Sequence, residues 1–210
     1  MKTFNLKFPN LLGVFVTILL FAFPILAAKT IDITSIGAIG DGTTLNTVKL
    51  QKAIDDCSAK GGCTLKFPRG VFLTGAIFLK PKVNLFLAEG SVVKGTTNRK
   101  DYPKMMTRIE GHFEPWLPAL INADKVDNLR ISGSGTFDGS GKPFWEDFWA
   151  RRKENPKTTN LDVERPRLMF IQNSQNVKIS GVTFKDSGFW NLHIYNCQKV
   201  LVENSRFEVQ

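Results

Sequence analysis

Short apolar runs, each broken by Gly, Asn or Ser, fill the second half of the chain. Val177-Lys178-Ile179 and Val200-Leu201-Val202 have apolar residues two apart, the pattern of strands. Met169–Phe184 lies over Leu192–Phe207 at an offset of 23 without a gap, and five of the sixteen positions are identical. These are Ile171/Ile194, Asn173/Asn196, Gln175/Gln198, Val177/Val200 and Phe184/Phe207. Asn128–Gly133 matches Asn176–Gly181 at an offset of 48, which is close to two periods, and Val83–Leu87 reads as a still earlier copy. The unit is shorter than the ~34 residues of a helical pair, and it holds three short strands with turns. Coils stacked about 4.8 Å apart pair each strand with its equivalents above and below. Asn173 is then expected over Asn196 as an amide ladder, and Phe184 over Phe207 as an aromatic stack inside the coil. The predicted fold is all-β, a parallel β-solenoid. A β-sandwich also has short strands, but it does not predict an ungapped repeat.

A solenoid must cover its ends. Asn46–Cys57 reads as an amphipathic helix with Leu50, Ala53, Ile54 and Cys57 in one stripe. Asn46 is its expected N-cap and Gly61-Gly62 its stop. This helix is expected to plug the first coil. No comparable cap is visible near Gln210, so the C-terminal coils are expected to be missing. Residues 142–166 are polar and read as an insertion between coils. Trp145 and Trp149 within it are spaced to share a helix face, either as a sugar-stacking platform or as an anchor on the solenoid.

The first residues follow another pattern. Lys2 and Lys7 precede the apolar run Leu11–Leu26, and Ala27-Ala28 follow. This is a signal peptide over 1–28, or alternatively an uncleaved signal anchor. Residues 29–210 form the one remaining domain. Export permits disulfides, so Cys57 and Cys63 are either a bonded pair or two buried thiols. Cys197 is left over.

Composition excludes other classes. Seventeen Phe and four Trp are too much apolar mass for a disordered chain, three Cys too few for a disulfide scaffold, and one long apolar run too little for a multi-pass membrane protein. Lys and Arg number 28 against 19 Asp and Glu, a net charge of +9. Residues 66–108 hold nine basic residues against Glu89 and Asp101. Such a segment attracts polyanions, for an exported chain an acidic polysaccharide rather than nucleic acid; separately solvated lysines are the alternative.

Several segments resemble plant polygalacturonases, glycoside hydrolase family 28. They are Gly37-Ala-Ile-Gly-Asp-Gly-Thr43 with Thr47 and Gln51–Cys57, Phe67-Pro-Arg-Gly70, and Gly133–Gly141 with Trp145. Arg165-Pro-Arg167, Ile179–Ser187 and Phe189-Trp-Asn-Leu-His193 complete the set. The resemblance spans about Ile33 to Phe207. It implies a right-handed parallel β-helix and cleavage of α-1,4 bonds between galacturonic acid units of pectin, with inversion. None of the family's Asn-Thr-Asp, Asp-Asp, Gly-His-Gly and Arg-Ile-Lys site motifs is found here. Asp55-Asp56 lies in the plug helix and His112 precedes Phe113. No catalytic residue is therefore assigned, and the chain by itself is expected to be inactive.

The resemblance places Trp190 and His193 next to the cleft as candidate substrate-binding residues. The repeat equally sets His193 opposite Phe170 as a packed strand residue. Gly188 stands where relatives often have Pro, and a looser loop is expected there. No metal and no cofactor is expected. The expected partner is pectin or polygalacturonate, with no nucleic acid and no membrane after signal cleavage. The expected state is a monomer once the C-terminal half completes it, and the expected location is extracellular, at the cell wall. The alternative is a non-catalytic β-solenoid that binds acidic polysaccharide.

Overall fold

A computed structural model describes residues 29–209. The apolar N-terminal run, and with it the choice between signal peptide and anchor, lies outside them. Among the described residues no helix is long and apolar enough to cross a membrane.

The chain winds into a right-handed parallel β-helix. Strand β1 (Thr30–Asp32) leads to helix α1 (Thr47–Ala59). The first full coil is β2 (Cys63–Phe67), β3 (Gly70–Thr74) and β4 (Ile77–Phe78). The second has β5 (Val83–Leu87), β6 (Ser91–Gly95), an antiparallel hairpin of β7 (Met105–Ile109) and β8 (His112–Trp116), then β9 (Ile121–Asp124). The third has β10 (Arg130–Gly133), β11 (Thr136–Asp138), helix α2 (Lys142–Glu154) and β12 (Met169–Gln172). The fourth is β13 (Gln175–Ser180), β14 (Thr183–Lys185) and β15 (Leu192–Tyr195), and β16 (Gln198–Glu203) with β17 (Arg206–Glu208) opens the next.

Equivalent strands form three parallel sheets. The first is β1-β2-β5-β10-β13-β16, the second β3-β6-β11-β14-β17, and the third β4-β9-β12-β15. The 23-residue repeat is the register of the last coils: Ile171 pairs with Ile194, Val177 with Val200 and Phe184 with Phe207. The offset of 48 is not two periods. Ile131 pairs directly with Ile179, so it is one coil lengthened by the α2 insertion. Leu85 likewise pairs directly with Ile131, across a coil lengthened by the β7–β8 hairpin. Both insertions leave the same corner, between the second and third sheets, and this places them beside the outer face of the third.

Like residues stack inside the coils. Phe137 and Phe184 have ring centroids 5.9 Å apart, and Phe184 and Phe207 4.9 Å apart with planes at 7°. At a turn, Asn196 donates to Asn173 Oδ1 (2.7 Å) and Asn173 to Asp124 Oδ1 (2.8 Å), a ladder of the expected kind. Both asparagines have left-handed backbone, φ 50° and 51°, which Asn adopts more readily than other side chains. Gly133, at φ 114°, is required by close approach, because an added Cβ would overlap the Leu87 carbonyl.

Helix α1 buries Leu50, Ala53, Ile54 and Cys57 against the first coil. Asn46 precedes it but its side chain does not cap it. The amide accepts from Ile39 N and donates to the Ile39, Thr44 and Leu73 carbonyls, and it is fully buried. Its donors and acceptor are spent cross-linking a turn that has no ladder of its own. At the far end of the helix, Gly61 and Gly62 reverse the chain at φ 94° and 110°.

Candidate active-site cleft

Alternation along the third sheet sends one set of side chains inward and the other out. Ile121, Met169 and Ile171 are in the core. Strand register aligns the outward residues as two rows across the sheet, Phe78–Asn122–Phe170–His193 and Asp124–Gln172–Tyr195. The β7–β8 hairpin stands beside them. A cleft of about 410 Å³ runs between hairpin and sheet, lined by Met105 and Thr107 on one side and Phe78, Asn122, Asp124, Phe170 and Gln172 on the other. Lys80 and Lys125 also line it. Among the described residues Asp124 is the one carboxylate lining it.

At the Phe170 end the cleft meets a cluster of basic and aromatic groups. Arg167 is 1% exposed. Its Nη1 donates to the Arg108 carbonyl (2.6 Å) and lies 2.9 Å from His193 Nδ1, and its Nη2 donates to Thr107 Oγ1 (2.8 Å). Its guanidinium carbon is 4.2 Å from the Phe170 ring centroid. Burial pushes the Arg167 pKa down to about 10. His193 stacks on Phe170 at 4.5 Å and meets Trp190 edge-on at 4.8 Å. Burial, then the charges of Arg167 and Arg108, push its pKa down to about 4, so the ring is neutral at pH 7. The Arg108 guanidinium lies 4.2 Å over the Tyr195 ring and 5.8 Å from Phe113.

The two candidates His193 and Trp190 are thus in contact. His193 packs on Phe170, opposite which the repeat sets it, and lies on the outward face of the third sheet. Trp190 also stacks on Phe189 (4.6 Å), and its carbonyl accepts from Leu168 N and Ser187 Oγ. From the sequence, Arg167 enters only through the Arg165-Pro-Arg167 segment and Arg108 only through the basic segment 66–108, and Tyr195 has no assigned role. The signal that could have found the last is alternation in β15, which exposes His193 and Tyr195 on one face.

The remaining expectations fall elsewhere. Cys57 and Cys63 are joined by a disulfide at the end of α1, remote in sequence from the cleft strands, and Cys197 is a free, half-buried thiol. In α2, Phe144 and Phe148 are buried and Trp145 donates its Nε1–H to the Ser187 carbonyl (2.7 Å), while Trp149 is 62% exposed. The two tryptophans share one helix face, lining a surface pocket with Lys142, Glu146 and Val209, and Trp145 anchors that face on the solenoid. Gly188 sits in a close-packed place: an added Cβ would lie 2.9 Å from the Pro166 carbonyl and 3.1 Å from the Phe144 ring. Two cations of the basic segment 66–108 are paired: Arg99 with Asp147 and Lys104 with Glu164, both 2.6 Å, which ties the hairpin region to the insertion. Among the described residues there is no group of three or more His, Cys, Asp or Glu that could hold a metal ion.

Comparison with known proteins fits this geometry. The family model for glycosyl hydrolases family 28 matches residues 57–209. The chain is 45% identical over 122 residues to an exo-poly-α-D-galacturonosidase of Dickeya chrysanthemi, covering 54% of this chain and 20% of that protein. It is 30% identical over 177 residues to an exopolygalacturonase of Zea mays, covering 82% of this chain and 38% of that protein. The crystal structure of a hyperthermoactive exopolygalacturonase from Thermotoga maritima superposes with a TM-score of 0.69 at 26% identity, over 86% of this chain and 52% of that one. The chain thus spans between 20% and 38% of the length of these two curated relatives.

Proposed function

The chain belongs to the glycosyl hydrolases family 28, and from that membership we propose that it is part of a secreted hydrolase of pectin, cleaving α-1,4-galacturonosidic bonds with inversion. The observation that carries this reading is the cleft on the third sheet, lined in part by Lys80 and Lys125, together with the cluster of Arg108, Arg167, His193 and aromatic rings that meets it at Phe170. Galacturonan carries a carboxylate on each sugar. Guanidinium groups suit carboxylates by charge and by planar geometry, and the negative faces of aromatic rings suit the C–H faces of sugar rings.

Inversion requires a carboxylic acid to protonate the leaving oxygen, and a second carboxylate about 6.5–9.5 Å away to activate water. The described cleft offers Asp124 alone, and Asp124 is held by Asn173. On this reading the chain binds and orients the polymer. On the same reading the acid and base are supplied from outside the described residues. No residue of this chain is assigned as catalytic.

A reducing-sugar assay on polygalacturonate tests the reading. The 210-residue chain is expected to release no reducing ends, while the product of a longer natural transcript is expected to release them. Turnover by the 210-residue chain overturns the assignment of catalysis elsewhere, and an inert longer product overturns the hydrolase. Binding without turnover by both would identify a polysaccharide-binding solenoid.

A further inference from the structure

We propose that Arg108 and His193 form a subsite for the carboxylate-bearing ring of a uronic acid polymer, with Arg167 as the residue that positions both. The proposal rests on the pectin reading of the cleft and names where the charged group is recognised.

Charge balance is the first observation. The eight ion pairs among the described residues include neither Arg108 nor Arg167. Arg167 is almost fully buried with carbonyl, hydroxyl, imidazole and ring neighbours, none of them an acid. A cation so placed is costly unless an anion comes near it. Arg108 adds a second positive charge on the same side, felt at His193.

Donor geometry is the second. Arginine only donates, so His193 Nδ1 must accept from Arg167 and the ring proton must sit on Nε2. Nδ1 is spent on the buried guanidinium. The Nε2–H has no partner among the described residues. The Arg108 guanidinium carbon lies over the Tyr195 ring, 4.2 Å from its centroid, and its N–H groups have no hydrogen-bond partner among the described residues, which keeps them for a further acceptor. Its own carbonyl is held by Arg167, which fixes the backbone that carries it. His193 and Tyr195 are two apart on β15 and share the outward face. The Arg108 fork and the His193 Nε2–H therefore stand over one patch, next to a cleft lined by Thr107 and Phe170. A uronate ring supplies a carboxylate for the fork and a ring or hydroxyl oxygen for the imidazole. A neutral sugar would leave the charge uncompensated.

Calorimetric titration of the chain with trigalacturonate and with its methyl ester tests this, using wild type, Arg108→Ala and Arg108→Lys. Circular dichroism checks the fold of each. Arg108→Ala is expected to weaken trigalacturonate binding about tenfold to a hundredfold, the range of a lost charged hydrogen bond, and methyl-ester binding by no more than about threefold. Arg108→Lys is expected to lie between, since it keeps the charge and loses the fork. Nitrogen-15 spectra should show His193 as one tautomer, protonated at Nε2, and a mixture in Arg167→Lys. Equal losses for acid and ester, or none, refute the subsite while a protein that still binds galacturonan keeps the pectin reading. If wild type binds neither form, both fall together. A His193 protonated at Nδ1 in wild type refutes the positioning role.

Discussion

Phe184 and Phe207 occupy the same place in the repeat, yet truncating them should have very different costs. Phe184 is fully buried between Phe137 and Phe207, and Phe207 is 49% exposed with one ring neighbour, Phe184. Phe184→Ala removes a ring closed in on both sides, leaves a cavity that the stiff coils cannot collapse, and should cost about 4–5 kcal/mol. Phe207→Ala leaves no closed cavity and loses about half the buried area and one stacking contact, about 1–1.5 kcal/mol. Equilibrium unfolding in urea reads the difference. With a slope of about 2 kcal/mol/M, the midpoint should fall by about 2 M for Phe184→Ala and by about 0.5–0.75 M for Phe207→Ala. Equal shifts, or a larger one for Phe207→Ala, would refute burial within the coil as the source of the stack's energy.

His193 titrates near 4 when folded and near 6.5 when free, so the unfolded chain takes up the proton first as pH falls. Its contribution to stability is present in full above pH 6.5 and is lost as pH falls from 6.5 toward 4; a proton NMR titration placing His193 near 6.5 in the folded chain would contradict this. The Cys57–Cys63 bridge closes a short loop, with a sequence separation of 6. Replacing both with Ser should cost about 2 kcal/mol in denaturant unfolding, the loop-entropy value for so small a ring. Asn173 links two neighbours and Asn196 one, both in left-handed backbone. Asn173→Ala should therefore cost about 2 kcal/mol and Asn196→Ala about 1 kcal/mol in the same assay.

The solenoid was legible because its contacts are repetitions. An ungapped offset of 23 puts Ile171 on Ile194 and Phe184 on Phe207, and the sheets pair those residues. The plug helix was legible for a related reason, since one apolar stripe has one face to bury. The spacing of 48 was misleading, because an insertion of nearly one period lengthens a coil without adding a strand to the stack. Asn46 was misread as a cap. Its sequence position suits capping, but the turns packed against it take all its hydrogen bonds. The shared face of Trp145 and Trp149 followed from their spacing, but the partner that holds Trp145, the Ser187 carbonyl, comes from a later coil.

By itself the sequence determined what depends on period: strands, coil register, the amide ladder, the aromatic stack and the helix that closes the first coil. Each follows from short-range sterics and from like side chains meeting at a fixed strand spacing. Tertiary structure alone decided the cleft. Arg108 comes from the hairpin, Arg167 from the end of the insertion, and His193 from a strand one coil further on. No periodicity links them. They converge because two insertions leave the same corner and fold beside one sheet, where a buried guanidinium joins Thr107, the Arg108 carbonyl and the imidazole of His193.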